Sequence, residues 1–415
     1  MKLVKTVVSS SIITLLRISA GFISTKVLAI FTGPTGVAMI GQFTNFVTII
    51  LTFANGAVNT GVTKYTAERS EDEAYLKRLF STGIKVSLYC SFFTGLVLFL
   101  FAKPISNWIF TDPSYSNVIR VFGVTIFLYS INTLLVAILN GLKQIRLYTI
   151  VNLVGSLTGL ALTLVLVYFF KIYGALYAMV LAQSIVCLVT CGFIYKSEWF
   201  SWDYFKGKID RRIILNLSKF ALMTVVSAIM LPLSQIILRN LLIKHIGVES
   251  AGYWQGMMKI SDGYLLVITT ALTTYYLPKL SSLKRKSELR KEIYFGYKLI
   301  IPTLLVLTGS VYLCRHLIIH ILYADSFAPM ADLFFYQLLG DLFKLCAWIL
   351  GYLMVSKAMT KVFIISEIVF SIIYVILSYY LVLNIGLKGI VIAFAVNYAL
   401  YWLFLIAFFR RILFK

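Results

Sequence analysis

Four ionisable residues stand where an apolar chain should carry none. In "YWQGMMKISDGYLLVITTAL" (253–272), Gln255, Lys259 and Asp262 fall at i, i+4 and i+7. In "YQLLGDLFK" (336–344), Gln337, Asp341 and Lys344 repeat that spacing. Residues so spaced share one face of a helix. Each helix therefore presents an amide, one charge and then the opposite charge. A charge at the centre of a membrane helix costs about 2.5–3.5 kcal/mol on insertion scales. Such a face should point at a bundle interior or a watered cavity. Two chemistries fit it: ammonium groups can neutralise an anion, and carboxylates such as Asp262 and Asp341 can accept a coupling proton or sodium ion. The third reading is structural, with Lys259–Asp262 and Asp341–Lys344 as pairs that lock helices.

Other polar residues extend the pattern. Gln42, Asn45, Thr52 and Asn59 form an uncharged stripe. Arg17 and Lys26 are nine positions apart, about half a turn out of phase, so either the helix bends near Gly21 or they serve different levels. Lys85 and Lys298 lie near helix ends and can snorkel. Glu367 is a further candidate for ion coupling. His316 and His320 have a zinc-compatible spacing but no supporting ligand cluster, which reads as a solvated helix end rather than a metal site. The five cysteines all fall in apolar stretches and form neither a disulfide framework nor a CxxC motif. There is no Walker A, GxSxG, HExxH or dinucleotide loop. The reading is a non-enzyme with no cofactor.

Of 415 residues, 60% are hydrophobic and 13% charged, and the mean hydropathy is +0.90. That composition is an integral membrane protein. The net charge of +22 does not mark a nucleic-acid binder, because no basic soluble domain carries it. A ruler of about 20 residues per span gives twelve spans: 7–31, 36–63, 79–102, 117–141, 147–170, 174–195, 214–241, 250–278, 293–314, 328–355, 361–383 and 387–409. The N-terminus reads as a retained first helix, not a signal peptide. Lys and Arg number 25 in the termini and even-to-odd loops but seven in the opposite loops, Arg239 among the seven. That bias puts both termini in the cytoplasm. The expected architecture is all-α, with an N-terminal six-helix lobe (1–196), a cytoplasmic linker (197–213) and a C-terminal six-helix lobe (214–415).

The halves repeat weakly. Gln42 and Gln255 are 213 positions apart, Lys143 and Lys357 are 214 apart, and Gly174 and Gly389 are 215 apart. A near-constant offset indicates duplication and two pseudo-symmetric lobes.

The stretches "FTGPTGVAMIGQF" (31–43), "GVTKY" (61–65), "LSKFALM" (217–223), "YWQGMMKISDGYL" (253–265), "YLPKLSSL" (276–283) and "DLFFYQLLGDLFKLCAWILGYL" (332–353) resemble the Wzx family of lipid-linked oligosaccharide flippases. That family lies in the multidrug/oligosaccharidyl-lipid/polysaccharide (MOP) exporter superfamily. The resemblance runs over about residues 1–410 and looks closest to the enterobacterial common antigen branch. It implies a MATE-like fold and transfer of undecaprenyl-pyrophosphate-linked repeat units across the Gram-negative inner membrane. Cavity cations would attract the pyrophosphate, with Arg17, Lys26, Lys259 and Lys344 in that role. Gln42, Asn45, Gln255 and Gln337 would meet sugar hydroxyls. Other implied partners are membrane lipids, a polysaccharide polymerase and a chain-length regulator. An O-antigen unit is favoured over common antigen lipid III, because the Lys-, Ile-, Phe-, Tyr- and Asn-rich composition suggests an AT-rich gene cluster. The alternatives are a cation-coupled multidrug exporter of the same fold and a non-transporting membrane scaffold.

Overall fold

The computed structural model describes the backbone of residues 2–197, 200–283, 285–357 and 359–414, and side chains from Ser19 onward apart from Lys219, Phe220, Met223, Val267, Ala271, Thr273, Thr274 and Pro278 in those stretches. No strand occurs among them. Twelve helices of membrane-spanning length are described: α1 (2–32), α2 (34–54), α3 (Glu73–Leu100), α4 (Ser116–Gly141), α5 (145–170), α6 (172–195), α7 (Arg211–His245), α8 (Val248–Ala271), α9 (Lys286–Leu313), α10 (Phe334–Ser356), α11 (Thr360–Ile385) and α12 (Lys388–Phe408). α1 and α2 part at Gly33, whose φ of 62° is open to glycine at little cost. Pro34 then starts α2 at a position where a missing N–H costs nothing. No residue near Gly21 leaves the helical conformation, so the helix is not broken there.

Span two is shorter than its hydropathy. α2 stops at Ala54, and a turn with Gly56 at φ 59° and Ala57 at φ 52° leads into a separate helix, Asn59–Glu68. Asn59 therefore does not continue the stripe of Gln42 and Asn45 on one helix. Span seven is longer than expected, and α7 carries Arg239 well inside it.

The duplication is legible in the backbone. Gly33 and Gly247, 214 apart, both take positive φ before the second helix of their half. Lys171 and Gly386, 215 apart, both take positive φ between the last two helices. Just beyond each, a Cβ on Gly174 would strike the Leu166 carbonyl, and one on Gly389 would strike the Leu381 carbonyl. The turn before α5 has Gln144 N–H donating to Leu139 O; the turn before α11 has Met359 N–H donating to Met354 O. The same four-helix-plus-hairpin plan is thus built twice.

The chain forms two compact units, residues 1–32 with 42–232 and residues 33–41 with 233–415. In the first unit, Val58, Val62, Leu76, Leu79, Phe80, Leu134, Ile138 and Leu217 form a core. α3 is started by Asp72, whose carboxylate accepts the Tyr75 N–H at 2.9 Å. α3 and α4 touch through Gly95 and Gly123, where either Cβ would meet the other helix's backbone, the close approach membrane helices use. Residues 200–211 are strapped to α3. Lys85 Nζ donates to Gly207 O at 2.7 Å, Asp210 N–H donates to Thr82 Oγ1 at 3.1 Å, and Tyr204 packs on Phe80 at 5.6 Å. Lys85 thus has a specific acceptor rather than a purely solvated head.

In the second unit, Leu265, Ile268, Leu289, Ile293, Leu345, Ile349, Leu350, Leu353, Tyr401 and Leu405 build one core from α8, α9, α10 and α12. That core fixes which faces of α8 and α10 meet.

Candidate functional site

α8 packs its Leu265–Ile268 side on α10. The same contact brings Ser261 and Tyr264 to Asp341. Ser261 Oγ donates to Asp341 Oδ2 at 2.6 Å, the Tyr264 hydroxyl donates to the same oxygen, and Gln337 Nε2 donates to Oδ1 at 3.2 Å. Asp341 and Gln337 are wholly buried, and Ser261 is nearly so. Three donors satisfy a carboxylate that would otherwise be very costly away from water.

Lys344 lies one turn on and is 7% exposed. Its ammonium sits 5.1 Å from the Trp348 ring centroid and 5.8 Å from that of Phe394. Aromatic faces hold a cation without neutralising it. Among the described residues, Lys344 makes no ion pair within 4.0 Å, so Asp341–Lys344 is not a closed salt bridge. It nevertheless lies within electrostatic reach of both Asp341 and Asp262.

Lys259 and Asp262 occupy the other side of α8 and are exposed, while Trp254, Met257, Ile260, Ser261 and Leu265 are buried. They interact electrostatically with one another, as i, i+3 neighbours should. The two predicted stripes therefore differ. That of α10 is buried in the unit, whereas the charged part of that of α8 is open.

The structure brings Lys259, Asp262, Gln337, Asp341 and Lys344 into one region of the second unit. Gln255 belongs elsewhere. It accepts from Arg239, whose guanidinium lies 5.4 Å from the Trp254 ring centroid, and it packs so closely on Gly41 that a Cβ there would overlap its side chain. Arg239 is wholly buried, not an exofacial loop cation. Glu367 on α11 is half-buried and lies near Tyr398 and Tyr401 of α12. Tyr398 also lies within electrostatic reach of Asp341, so the two carboxylates share a neighbour.

The remaining candidates are in the first unit. Gln42 and Asn45 are buried in α2; Asn45 Nδ2 has no partner among the described residues. Lys26 is half-buried on α1. Nearby, Ala20, Gly21 and Ser24 line a crevice of about 240 Å³ with Ser156, Gly159 and Thr163. The Arg17 side chain lies outside the described residues. Sequence reasoning missed Ser261, Tyr264, Arg239 and Tyr398. The available signal was that Ser261 and Tyr264 lie at i and i+3, on the α8 face away from Lys259. No group of three or more His, Cys, Asp or Glu residues among the described ones could hold a metal ion.

This arrangement can hold an anionic group against cations deep in an apolar helical body. The family described as polysaccharide biosynthesis protein matches residues 41–332. The chain is 30% identical over 402 residues to the Lipid III flippase of Escherichia coli (strain K12), covering 97% of each chain, and equally similar to that of Shigella flexneri. Its fold is similar to that of a multidrug resistance MATE family transporter of the MOP superfamily in the inward-facing conformation, with a TM-score of 0.81 at 15% identity over 95% of this chain and 94% of that one. It is likewise similar to a MOP superfamily transporter from Pyrococcus furiosus, with a TM-score of 0.74 at 15% identity over 98% and 95% of the two chains. The chain therefore belongs to the polysaccharide biosynthesis protein family, as a Wzx-type member built on the MOP exporter fold.

Proposed function

We propose that this lipid-linked glycan flippase carries undecaprenyl-pyrophosphate-linked oligosaccharide units from the cytoplasmic to the periplasmic leaflet by alternating access. Family membership supports flipping of a lipid-linked glycan, and the charges support the pyrophosphate. A pyrophosphate carries at least two negative charges and cannot enter hydrocarbon unpaired. The observation that carries the reading is Lys344: a nearly buried ammonium held by Trp348 and Phe394, close to two carboxylates. Lys259, on the open face of α8, would supply further positive charge in the second unit, and Arg17 and Lys26 of α1 would supply it in the first, where Gln42 and Asn45 are the candidates for the sugars; Gln255, held by Arg239, and Gln337, buried on Asp341, are structural instead. The twelve helices act as two lobes, 1–196 and 214–415, with both termini cytoplasmic, in line with the loop charge bias. Asp262, Asp341 and Glu367 are the groups proposed for proton or sodium coupling. A polymerase and a chain-length regulator are proposed downstream partners.

For the cargo, full-length likeness to two lipid III flippases supports common antigen lipid III ahead of an O-antigen unit. Composition alone favours the reverse order, and it is the weaker argument. A drug exporter for organic cations should instead show acids in excess of bases among its deep charges. The test is complementation. Expression in cells lacking their lipid III flippase should restore common antigen, and expression in cells lacking an O-antigen flippase should not. Rescue of O-antigen alone would reverse the cargo assignment, and rescue of neither, with intact drug efflux, would replace the flippase by an exporter.

A further inference from the structure

We propose that the beginning of α9 and the C-terminal segment together form a docking site for the headgroup of an anionic phospholipid. The two parts are far apart in sequence and are joined by named contacts. Lys286, Arg290 and Tyr294 lie on one face of α9 at i, i+4 and i+8. Arg290 Nε donates to Ile412 O at 2.9 Å, and the Tyr294 hydroxyl lies 3.5 Å from Leu413 O. Leu413 is buried in the same core as Leu289 and Ile293. This anchoring carries Arg410 and Arg411 to the end of α9 that already holds Arg285, Lys286, Arg290 and Lys291.

These six cations are not neutralised from within. Among the described residues none makes an ion pair within 4.0 Å, although Glu288 and Glu292 share the helix. At the corresponding end of the first unit, the surface cations Lys64, Lys77 and Arg78 pair with Glu68, Glu73 and Asp210 at 3.5, 3.0 and 3.8 Å. The start of α9 also has no side-chain cap, so its first N–H groups add positive potential. All of the six but Arg290 are exposed.

The same surface is apolar next to the charges. Tyr294, Phe295 and Leu299 of α9, and Phe414 beyond α12, are exposed. Cations above exposed rings and aliphatic chains match a molecule with a phosphate at one end and acyl chains at the other. A free phosphate would use only the first half of this surface. Neither Lys259 nor Lys344 is among its residues, and it does not depend on which glycan is carried.

The test measures retention of dioleoylphosphatidylglycerol on the purified full chain by native mass spectrometry, with dioleoylphosphatidylcholine as control. The wild type should retain the glycerol lipid in preference to the choline lipid. Arg410→Glu with Arg411→Glu should cut that occupancy about tenfold. Lys291→Glu, which leaves the C-terminal segment anchored, should cut it severalfold, and Lys206→Glu on the linker should not change it. Equal retention of the two lipids, or equal loss with Lys206→Glu, would overturn the proposal. So would displacement of the lipid by millimolar inorganic phosphate, or by undecaprenyl phosphate at the same concentration as the phospholipid.

Discussion

Replacing Asp341 by Asn changes one atom and breaks a buried network. Asp341 accepts from Ser261 at 2.6 Å, from Tyr264, and from Gln337 at 3.2 Å, all inside the second unit. Ser261 and Tyr264 share Oδ2, so an amide oxygen placed there still accepts from both, whereas the amide NH2 faces Gln337 Nε2 and takes away its acceptor. Hydrogen bonds to a charged acceptor contribute about 1.5–3 kcal/mol each, and a buried donor left unmatched costs its desolvation besides. Losing the Gln337 bond, and the charge behind the other two, costs about 1.5–3 kcal/mol. Lys344 also loses one of its two neighbouring countercharges, which works in the same direction. For a unit of this size about 1.5–3 kcal/mol lowers the melting temperature by about 3–12 °C. The assay is thermal unfolding of the purified protein in detergent, run as a double-mutant cycle with Ser261→Ala. The coupling between positions 261 and 341 should be at least about 1 kcal/mol. A melting temperature for Asp341→Asn equal to that of the wild type would refute the network. So would additivity within about 0.3 kcal/mol.

Three further outcomes follow from other contacts. Gly389→Ala should lower yield and melting temperature, because its Cβ meets the Leu381 carbonyl, and Gly174→Ala should do the same against Leu166; normal behaviour of both would mean that the paired turns are not built as described. Arg239→Ala should destabilise the protein by about 1.5–3 kcal/mol in chemical unfolding, the usual worth of a buried hydrogen bond to a charged group, and Arg239→Lys should recover only part of it. Wild-type unfolding of Arg239→Ala would contradict its burial against Gln255 and Trp254. Single cysteines at 203 and 206 should react with an impermeant maleimide only in inverted vesicles; labelling in intact spheroplasts would invert the proposed orientation.

Much of the fold was legible because hydropathy and length decide spans, and Gly33-Pro34 announces its turn. Duplication was legible for the same reason: tight turns constrain backbone, so Gly174 and Gly389 survive at matched offsets. The break after α2 was not read, because "TFANGAVNTG" is apolar enough to hide it; Asn55-Gly56 was the signal passed over. Arg239 reads as a loop cation because a cation near a span end usually sits there, yet α7 runs on to His245 and buries it. The charged faces were legible from spacing. Which of them is buried was not, since that depends on how α8 rotates against α10, and tertiary packing sets the rotation. Ser261 and Tyr264 look ordinary until that contact places them on Asp341.

Transport in proteoliposomes tests most directly whether the deep positive charges serve an anionic headgroup. Wild-type protein should move a fluorescent undecaprenyl-pyrophosphate-linked oligosaccharide between leaflets. Lys259→Arg should retain most of that rate, whereas Lys259→Asp and Lys344→Ala should lose it by about tenfold or more, the loss of one charged contact. Equal rates for all four proteins at matched reconstitution would contradict it.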